Sequence, residues 1–121
     1  MISKSEEVYA ILCSAAGNAR VSLTYPGWWT EVPAVGYREA INRVHRRADG
    51  KEYLTELRYD VDIWAAGAKE ALEIAQSIDE AMAAAGYQRT HAADLFDAKT
   101  RFHRRSLGYR IVADPDGHGY Q

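Results

Sequence analysis

The run Tyr53-Leu-Thr-Glu-Leu-Arg-Tyr-Asp-Val-Asp-Ile-Trp64 decides the fold of this 121-residue chain. Uncharged side chains alternate in it with charged ones, and the two sets are Tyr53, Thr55, Leu57, Tyr59, Val61, Ile63 and Glu56, Arg58, Asp60, Asp62. This period of two predicts a half-buried strand. After Gly67 the apolar residues recur at helical spacing, at Ala71, Leu72, Ala75, Ile78, Met82 and Ala85. The sequence therefore predicts a long strand that leads into a helix over 68–85, which packs back on the sheet.

The chain before this strand predicts one helix, one short strand and a loop. Ser3 is the expected N-cap of the helix, because its hydroxyl can accept a hydrogen bond from the amide of Glu6. An apolar stripe follows at Val8, Ile11, Leu12 and Ala15, and Gly17-Asn18 ends the helix. Residues 20–24 alternate like a strand, whereas two prolines and a glycine within 25–33 predict a loop, or a loop with an edge segment.

Two strand pairs are expected around the long strand. Asp49-Gly50 favours a tight turn, so 35–47 should pair antiparallel with 52–65, with a bulge at 38–40. A second pair is predicted from 87–95 and 101–113. If the helix at 68–85 is a crossover, 52–65 and 87–95 run parallel and the two hairpin ends lie at opposite ends of the sheet.

These elements predict an α+β fold in which a mostly antiparallel, four- to five-stranded sheet carries two helices packed on one face. A chain of this length predicts a single domain over residues 1–121. The polar, turn-forming residues 114–121 are expected to form a mobile tail.

Composition argues against several classes of function. The net charge is -2, from 15 basic and 17 acidic residues, so no bulk charge favours nucleic acid or an anionic membrane. Glu6 and Glu7 interrupt any secretory signal, and no apolar run approaches the roughly 18 residues of a membrane span. The single cysteine, Cys13, lies in the first predicted helix and is expected to be a small buried apolar residue in a reducing compartment.

No motif in the sequence predicts catalysis or a cofactor. The histidines His45, His91, His103 and His118 lack metal-ligand spacing, and no phosphate-binding glycine loop, catalytic triad or Cys-x-x-Cys pair is present. We therefore expect no catalytic residue, no metal and no cofactor.

Two basic runs and three tryptophans are the candidate functional residues. The runs Arg43-Val-His-Arg-Arg47 and Arg101-Phe-His-Arg-Arg105 allow three interpretations: solvated charge that protects sheet edges, a site for phosphate, or a surface complementary to an acidic strand face. The adjacent pair Trp28-Trp29 and Trp64, on the polar side of its strand, are candidate contacts. The resulting interface candidates are Trp28, Trp29, Arg46, Arg47, Asp60, Asp62, Trp64, Arg104 and Arg105.

The chain resembles the small tail-terminator or tail-completion proteins of long-tailed bacteriophages and prophages over roughly residues 3–113. Four segments carry the resemblance: Tyr59-Asp-Val-Asp-Ile-Trp64, Ala68-Lys-Glu-Ala-Leu72 with Ile78-Asp-Glu-Ala81, Gly86-Tyr-Gln-Arg89, and Phe102-His-Arg-Arg-Ser-Leu-Gly-Tyr-Arg110. The chain departs from the family in the Trp28-Trp29 loop and in Gly108, where a larger residue is expected to pack better.

The resemblance implies an α+β subunit of the virion tail or neck that assembles in the host cytoplasm and has no enzymatic activity. It implies a homo-oligomeric ring, a hexamer, that caps the tail tube protein and meets the head connector protein in head-tail joining, without membrane or sequence-specific nucleic acid as a partner. The alternative is a small ligand-binding or catalytic α+β barrel dimer, in which His91 or His103 and a tryptophan line a pocket.

Overall fold

Two helices and six strands alternate along the chain in a computed structural model, which describes residues 3–17, 19–23, 32–48, 51–98, 101–114 and 119–120. The elements are α1 (Ser5–Ala15), β1 (Arg20–Leu23), β2 (Ala34–Ala48), β3 (Lys51–Ala65), α2 (Ala68–Ala84), β4 (Gln88–Asp97), β5 (Phe102–Ala113) and β6 (Gly119–Tyr120). The predictions made for Asn18, for the turn Asp49-Gly50 and for the Trp28-Trp29 loop fall outside the described residues.

The strands form one mixed sheet in the order β1-β2-β3-β5-β4, and β6 pairs with the end of β5. β1 is parallel to β2, and all other neighbours are antiparallel. Because β3 and β4 both run antiparallel to β5, they run parallel to each other, as the crossover through α2 predicted. The α+β prediction is confirmed, and so is the long pairing of β2 with β3.

The register of the sheet confirms two finer predictions. The pairing of β2 with β3 shifts between Glu39 and Ile41, where a bulge was expected. β3 pairs with β5 from Thr55 opposite Ala113 to Ala65 opposite His103, so the ends of the two hairpins lie at opposite ends of the sheet. Within the segment predicted to be a mobile tail, Gly119 pairs with Ala113.

Both helices pack on one face of the sheet, and the core lies between the two layers. The inward set of β3 is fully buried from Thr55 to Ile63, as its alternation predicted. The helices contribute Val8 and Leu12 from α1 and Ala71, Ala75, Ile78 and Met82 from α2. The prediction of a buried α2 stripe was wrong at two residues, because Leu72 is 39% exposed and Ala85 is also exposed. Leu72 lies beside the buried positions on the helix surface, and Ala85 is the C-cap, one residue after α2 ends.

The start of α1 differs from the sequence prediction. The helix begins at Ser5 with Lys4 as N-cap and has no side-chain cap. The Ser3 hydroxyl accepts from the amide of Ser5 at 3.3 Å, and the Lys4 amide donates to the Tyr59 hydroxyl at 2.9 Å. A contact with β3 therefore satisfies an amide at the helix entrance, in place of the expected capping box. At the other end Gly17 adopts a φ of +64°, which ends the helix as predicted.

Cys13 is exposed, so the prediction of a buried cysteine was wrong. Val8 and Leu12 are the buried residues of α1. Cys13 follows Leu12 by one residue, which in a helix is about 100° around the axis and away from the sheet.

Three buried tyrosines donate hydrogen bonds to carboxylates, and two of these carboxylates lie on helices. Tyr87 donates to the Glu7 carboxylate at 2.9 Å, and Tyr109 donates to Asp79 Oδ1 at 2.9 Å. Tyr59 donates to Glu39 Oε1 at 3.1 Å. Burial raises the pKa of all three phenols. Each hydroxyl is therefore a neutral donor that satisfies a carboxylate at the edge of the core.

Candidate assembly surfaces

The face of the sheet that points away from α1 and α2 carries interleaved arginines and carboxylates. We call it the open face, and its charged residues are Arg38, Arg43, Glu56, Arg58, Asp60, Asp62, Arg104 and Arg110. They come from β2, β3 and β5, and the strand register places them side by side. Within this set five arginines face three carboxylates, which leaves an excess of two positive charges.

Glu56 is the centre of the open face. Its side chain is 2% exposed because three arginines cover it. Arg43 and Arg110 each donate through Nε to one of its two oxygens, and Arg58 adds a bond from Nη2 at 3.3 Å. Hydrogen bonding from Arg110, against the opposing effect of burial, and from the other two arginines lowers the pKa of Glu56 to about 2. Glu56 is therefore ionised at neutral pH and links three strands.

Asp60 and Asp62 each have one arginine partner. Arg38 donates to Asp60 Oδ2 from Nε at 3.2 Å and from Nη2 at 2.9 Å. Arg104 donates to Asp62 Oδ1 at 3.0 Å. Asp60 is 25% exposed in its side chain, whereas the side chain of Asp62 is only 2% exposed.

Trp64 lies on the open face, as its position in the strand predicted, and Arg104 covers it. The guanidinium carbon is 5.5 Å from the ring centroid, which is within the range of a cation–π contact. Trp64 is 9% exposed. Of the predicted interface residues on this face, Asp62 and Trp64 are thus buried within the subunit.

The acidic strand face expected from the sequence does not form. Its three carboxylates are those of Glu56, Asp60 and Asp62, and each is paired with an arginine inside the subunit. The sequence does not show this pairing, because the partners come from strands whose register is set only by folding.

Two arginines of the first basic run, Arg46 and Arg47, lie at the end of the β2–β3 hairpin. Arg46 is opposite Leu54, and Arg47 is opposite Glu52. Their side chains, like all of Trp28 and Trp29, fall outside the described part of the structure. Their role in an interface stays a prediction.

Arg104 and Arg105 are neighbours in sequence but point to opposite faces of the sheet. Arg104 reaches the open face, whereas Arg105 lines a cleft between α2 and the β4–β5 pair. We call this the α2–β4 cleft, and its lining residues are Leu72, Ala75, Gln76, Asp79, Arg89, Ala92, Arg105 and Leu107. Its free volume is about 50 Å³. The Nε atom of Arg105 is buried there and has no hydrogen-bond partner among the described residues.

The other charges of the cleft are paired. Arg89 Nη1 lies 3.1 Å from Asp79 Oδ2, and Asp79 Oδ1 accepts from Tyr109. Asp94 lies opposite Arg105 in the strand register, and its side chain is exposed. No ion pair between these two residues is found within 4 Å in the described part of the structure. In the part of the chain that the structure describes, Arg105 is thus the cation of the cleft that has no ion-pair partner within 4 Å.

β4 is an edge strand and is exposed along its length. Side chains from Gln88 to Phe96 are all exposed, and Leu95 and Phe96 are 47% and 55% exposed. The ring centroids of Phe96 and His103 lie 5.1 Å apart. An exposed edge with large apolar side chains is a template for another chain. Sequence reasoning missed this edge, although the apolar pair Leu95-Phe96, which a strand must split between two faces, was a signal.

Gly108 has a specific packing role, which corrects the expectation that a larger residue would pack better. A Cβ atom at this position would lie 2.3 Å from the imidazole of His91 and 2.7 Å from the hydroxyl of Thr90. The pairing of β4 with β5 shifts at this point, between Arg89 and His91. The irregularity brings the two side chains over the glycine, so a residue with a side chain would displace them.

No metal site is found in the described ranges, and the α2–β4 cleft is small. These residues contain no group of three metal-ligating side chains. Neither α1 nor α2 is long and apolar enough to cross a membrane. The α2–β4 cleft is lined by no histidine or tryptophan, and pockets for small molecules are typically about 300–1,000 Å³. The cleft therefore gives no support to the alternative of a His- and Trp-lined ligand pocket.

Comparison with known proteins identifies the family. A family model described as tail completion protein gp17 matches residues 7–114, from the first turn of α1 to the residue after β5. A search of curated proteins finds no match. Because the match spans most of the chain and the whole α+β unit, this protein belongs to the tail completion protein gp17 family and is a structural protein of the bacteriophage tail that acts in tail completion.

Proposed function

We propose that the protein closes into a ring of six copies on the end of the tail tube, stops tube polymerisation and presents its opposite side to the head connector. Membership in the tail completion family is the observation that carries this proposal. In the same proposal it is a prophage or phage protein that assembles in the host cytoplasm and has no catalytic role.

The sheet has the two unlike edges that a cyclic arrangement needs. β1 forms one edge and β4 the other. A contact between unlike surfaces of successive copies closes into a ring when the rotation between them closes. From the pairing directions, β1 and β4 of one subunit run opposite to each other. If all copies point the same way, β4 of one therefore meets β1 of the next in the antiparallel sense.

The hairpin ends supply two further surfaces. They lie at opposite ends of the sheet, so a ring with its axis along the strands would present one to the tail tube and the other to the head connector. Arg46 and Arg47 mark the first end, and the β4–β5 end lies near Arg104 and Arg105. These arginines, with Asp60 at the partly exposed rim of the open face, are our candidates for contact by charge.

The remaining candidates belong to two groups. Asp62 and Trp64 are buried under Arg104, so we propose that they hold the open face in shape. Trp28 and Trp29 remain candidates for apolar contact in the loop before β2. Removal of the Trp28-Trp29 pair should weaken assembly by losing contact area.

The proposal is tested by measuring the mass of the native particle by light scattering, for the protein alone and with isolated tail tubes. We expect a six-copy particle, either free or at tube ends in electron micrographs, and an arrest of tube growth. Monomer at high concentration under both conditions would refute the proposal.

A matched pair of charge reversals tests the hairpin end. Arg46→Glu should weaken association and leave the melting temperature unchanged, because charged residues at the end of a hairpin generally contribute little to monomer stability. Lys69→Glu is the control with the same change in charge, at a side chain on α2 that is 90% exposed. Equal association of both variants with the wild type would remove Arg46 from the interface.

A further inference from the structure

The guanidinium of Arg105 carries a buried donor that has no partner among the described residues. A buried N–H donor without an acceptor destabilises the folded subunit, unless another molecule supplies the acceptor. Arg105 Nε is such a donor among the described residues. The charge of Arg105 also has no partner there, whereas Arg104 next to it is held by Asp62.

The size and the lining of the cleft define what fits. A free volume of about 50 Å³ exceeds the roughly 10–15 Å³ that a cavity needs to hold one water molecule, so the cleft admits the head of one small side chain. Leu72, Ala92 and Leu107 give it apolar walls. Asp79 on the wall opposes a dianion such as phosphate. A single carboxylate on a short apolar stem fits both the volume and the charge.

The position of the cleft points to the source of that carboxylate. The cleft opens beside β4, the exposed edge strand, and the flank of α2 next to it exposes Leu72. In the ring proposed above, the β1 side of the next copy lies against this edge. α1 packs near β1 and exposes Glu6 beside Tyr9, and no hydrogen bond or ion pair of Glu6 is found among the described residues. The neighbouring copy thus has the required chemistry on the required side.

We propose that the α2–β4 cleft receives a carboxylate side chain from a second copy of this chain, with Arg105 as its hydrogen-bonding partner. This contact would complete the cleft only in the assembled state. The proposal rests on the proposed ring, and it assigns to Arg105 a role that the paired arginines of the open face do not share.

The first test uses butyrate as a probe of the monomer, at a concentration too low for association. The side-chain Nε–H resonance of Arg105 should shift with butyrate and saturate, whereas uncharged butyramide, a molecule of the same shape, should leave it unchanged. Arg38, which is paired with Asp60, is the internal control and should respond less. An equal response of both arginines, or an equal response to butyramide, would overturn the proposed site.

The second test measures self-association of Arg105→Gln and of Arg89→Gln by sedimentation. Arg105→Gln should raise the dissociation constant at least tenfold, because the buried charge pair is lost. Arg89→Gln removes a charge that Asp79 already holds and should change it less than threefold. Butyrate should weaken wild-type association and leave Arg105→Gln unaffected.

The two tests distinguish a failure of the proposed cleft contact from a failure of the proposed ring. If the wild type and Arg105→Gln form the same ring, the occupant is not a second copy, and the inference fails while the ring stands. If the wild type forms no ring alone or on tail tubes, the proposed function fails, and a second copy as the occupant fails with it. The butyrate titration still reports in that case whether the cleft binds a carboxylate.

Discussion

Glu56 should be the charged residue on which the stability of the subunit depends most. It is buried on the open face, and Arg43, Arg58 and Arg110 all donate hydrogen bonds to it. Glu56→Gln keeps the shape of the side chain but removes its charge and replaces one acceptor oxygen with a donor. Three guanidinium groups then lose a common acceptor, and one of them faces an N–H group.

The lowered pKa gives the size of the effect. The pKa falls from the ordinary value of 4.5 to about 2, and a difference of about 2.5 at about 1.36 kcal/mol for each pKa unit corresponds to about 3 kcal/mol. Because the pKa is lower in the folded state, this stabilisation is complete above pH 4.5. It is lost as the pH falls from about 4.5 to about 2, where Glu56 becomes protonated in both states.

Urea denaturation of the wild type and of Glu56→Gln between pH 7 and pH 2 tests this reasoning. We expect a difference of about 3 kcal/mol in the free energy of unfolding at pH 7, which shrinks toward zero at the lowest pH. Asp60→Asn is the control and should cost less than about 1 kcal/mol, since both Asp60 and Arg38 are partly exposed. The two substitutions should be compared at a protein concentration where association is absent.

Two results would refute the role assigned to Glu56. One is a loss below about 1 kcal/mol at pH 7, which would mean that the three arginines gain as much from water as from the carboxylate. The other is a difference that stays constant down to pH 2, which would show that the substitution disturbs packing and does not report on charge.

Three further predictions concern packing, hydrogen bonding and exposure. Gly108→Ala should destabilise the fold by about 1 kcal/mol through the clash with His91, and adding His91→Ala should restore part of the loss in thermal melting. Tyr109→Phe should cost about 1–2 kcal/mol in urea denaturation, because Asp79 loses a buried donor; an unchanged midpoint would contradict that role. Cys13 should react with a maleimide in the folded protein, since its side chain is exposed, and a thiol protected until unfolding would contradict the position of α1.

The strand pairs could be predicted from the sequence because their signals are local. The alternation in β3 predicts both that the segment is a strand and which of its sides is buried, since a strand has only two faces. The turn residues between β2 and β3 and the change of period after Gly67 then fix the order of elements. The α2 stripe was right at Ala71 and Met82 and wrong at Leu72, because a helix of this length has more apolar positions than the sheet covers.

The pairing on the open face could not be predicted in the same way. Glu56 is charged and lies between two inward residues, so the pattern alone makes it a solvated side chain. It is buried because Arg43 and Arg110, which are far apart in sequence, flank it in the sheet. The bulge after Glu39 shifts the register of β2 and helps to set which arginine comes opposite. Which residues become neighbours of Glu56 depends on the register between strands, and the local sequence around Glu56 does not specify that register.

The α2–β4 cleft was missed for a related reason. Sequence reasoning treated Arg104 and Arg105 as one basic cluster, yet consecutive residues of a strand point to opposite faces. The structure places one over Asp62 and Trp64 and the other against α2. Their shared charge therefore says little about a shared role.

The pairing of the open-face arginines with carboxylates of the same subunit limits how charge can drive assembly. A partner carboxylate that binds Arg43, Arg58 or Arg104 must compete with the carboxylates that already pair with these arginines. Its gain in free energy is therefore only the difference between two ion pairs. Arg105 has no such competitor in the described structure, and a partner carboxylate gains the whole interaction and also satisfies a buried donor. In the proposed ring, charge on the open face then serves mainly the stability of the subunit, and charge in the cleft serves association. Salt should accordingly weaken association more than unfolding stability, because Glu56 is buried beneath its arginines whereas a partner carboxylate approaches the cleft through solvent.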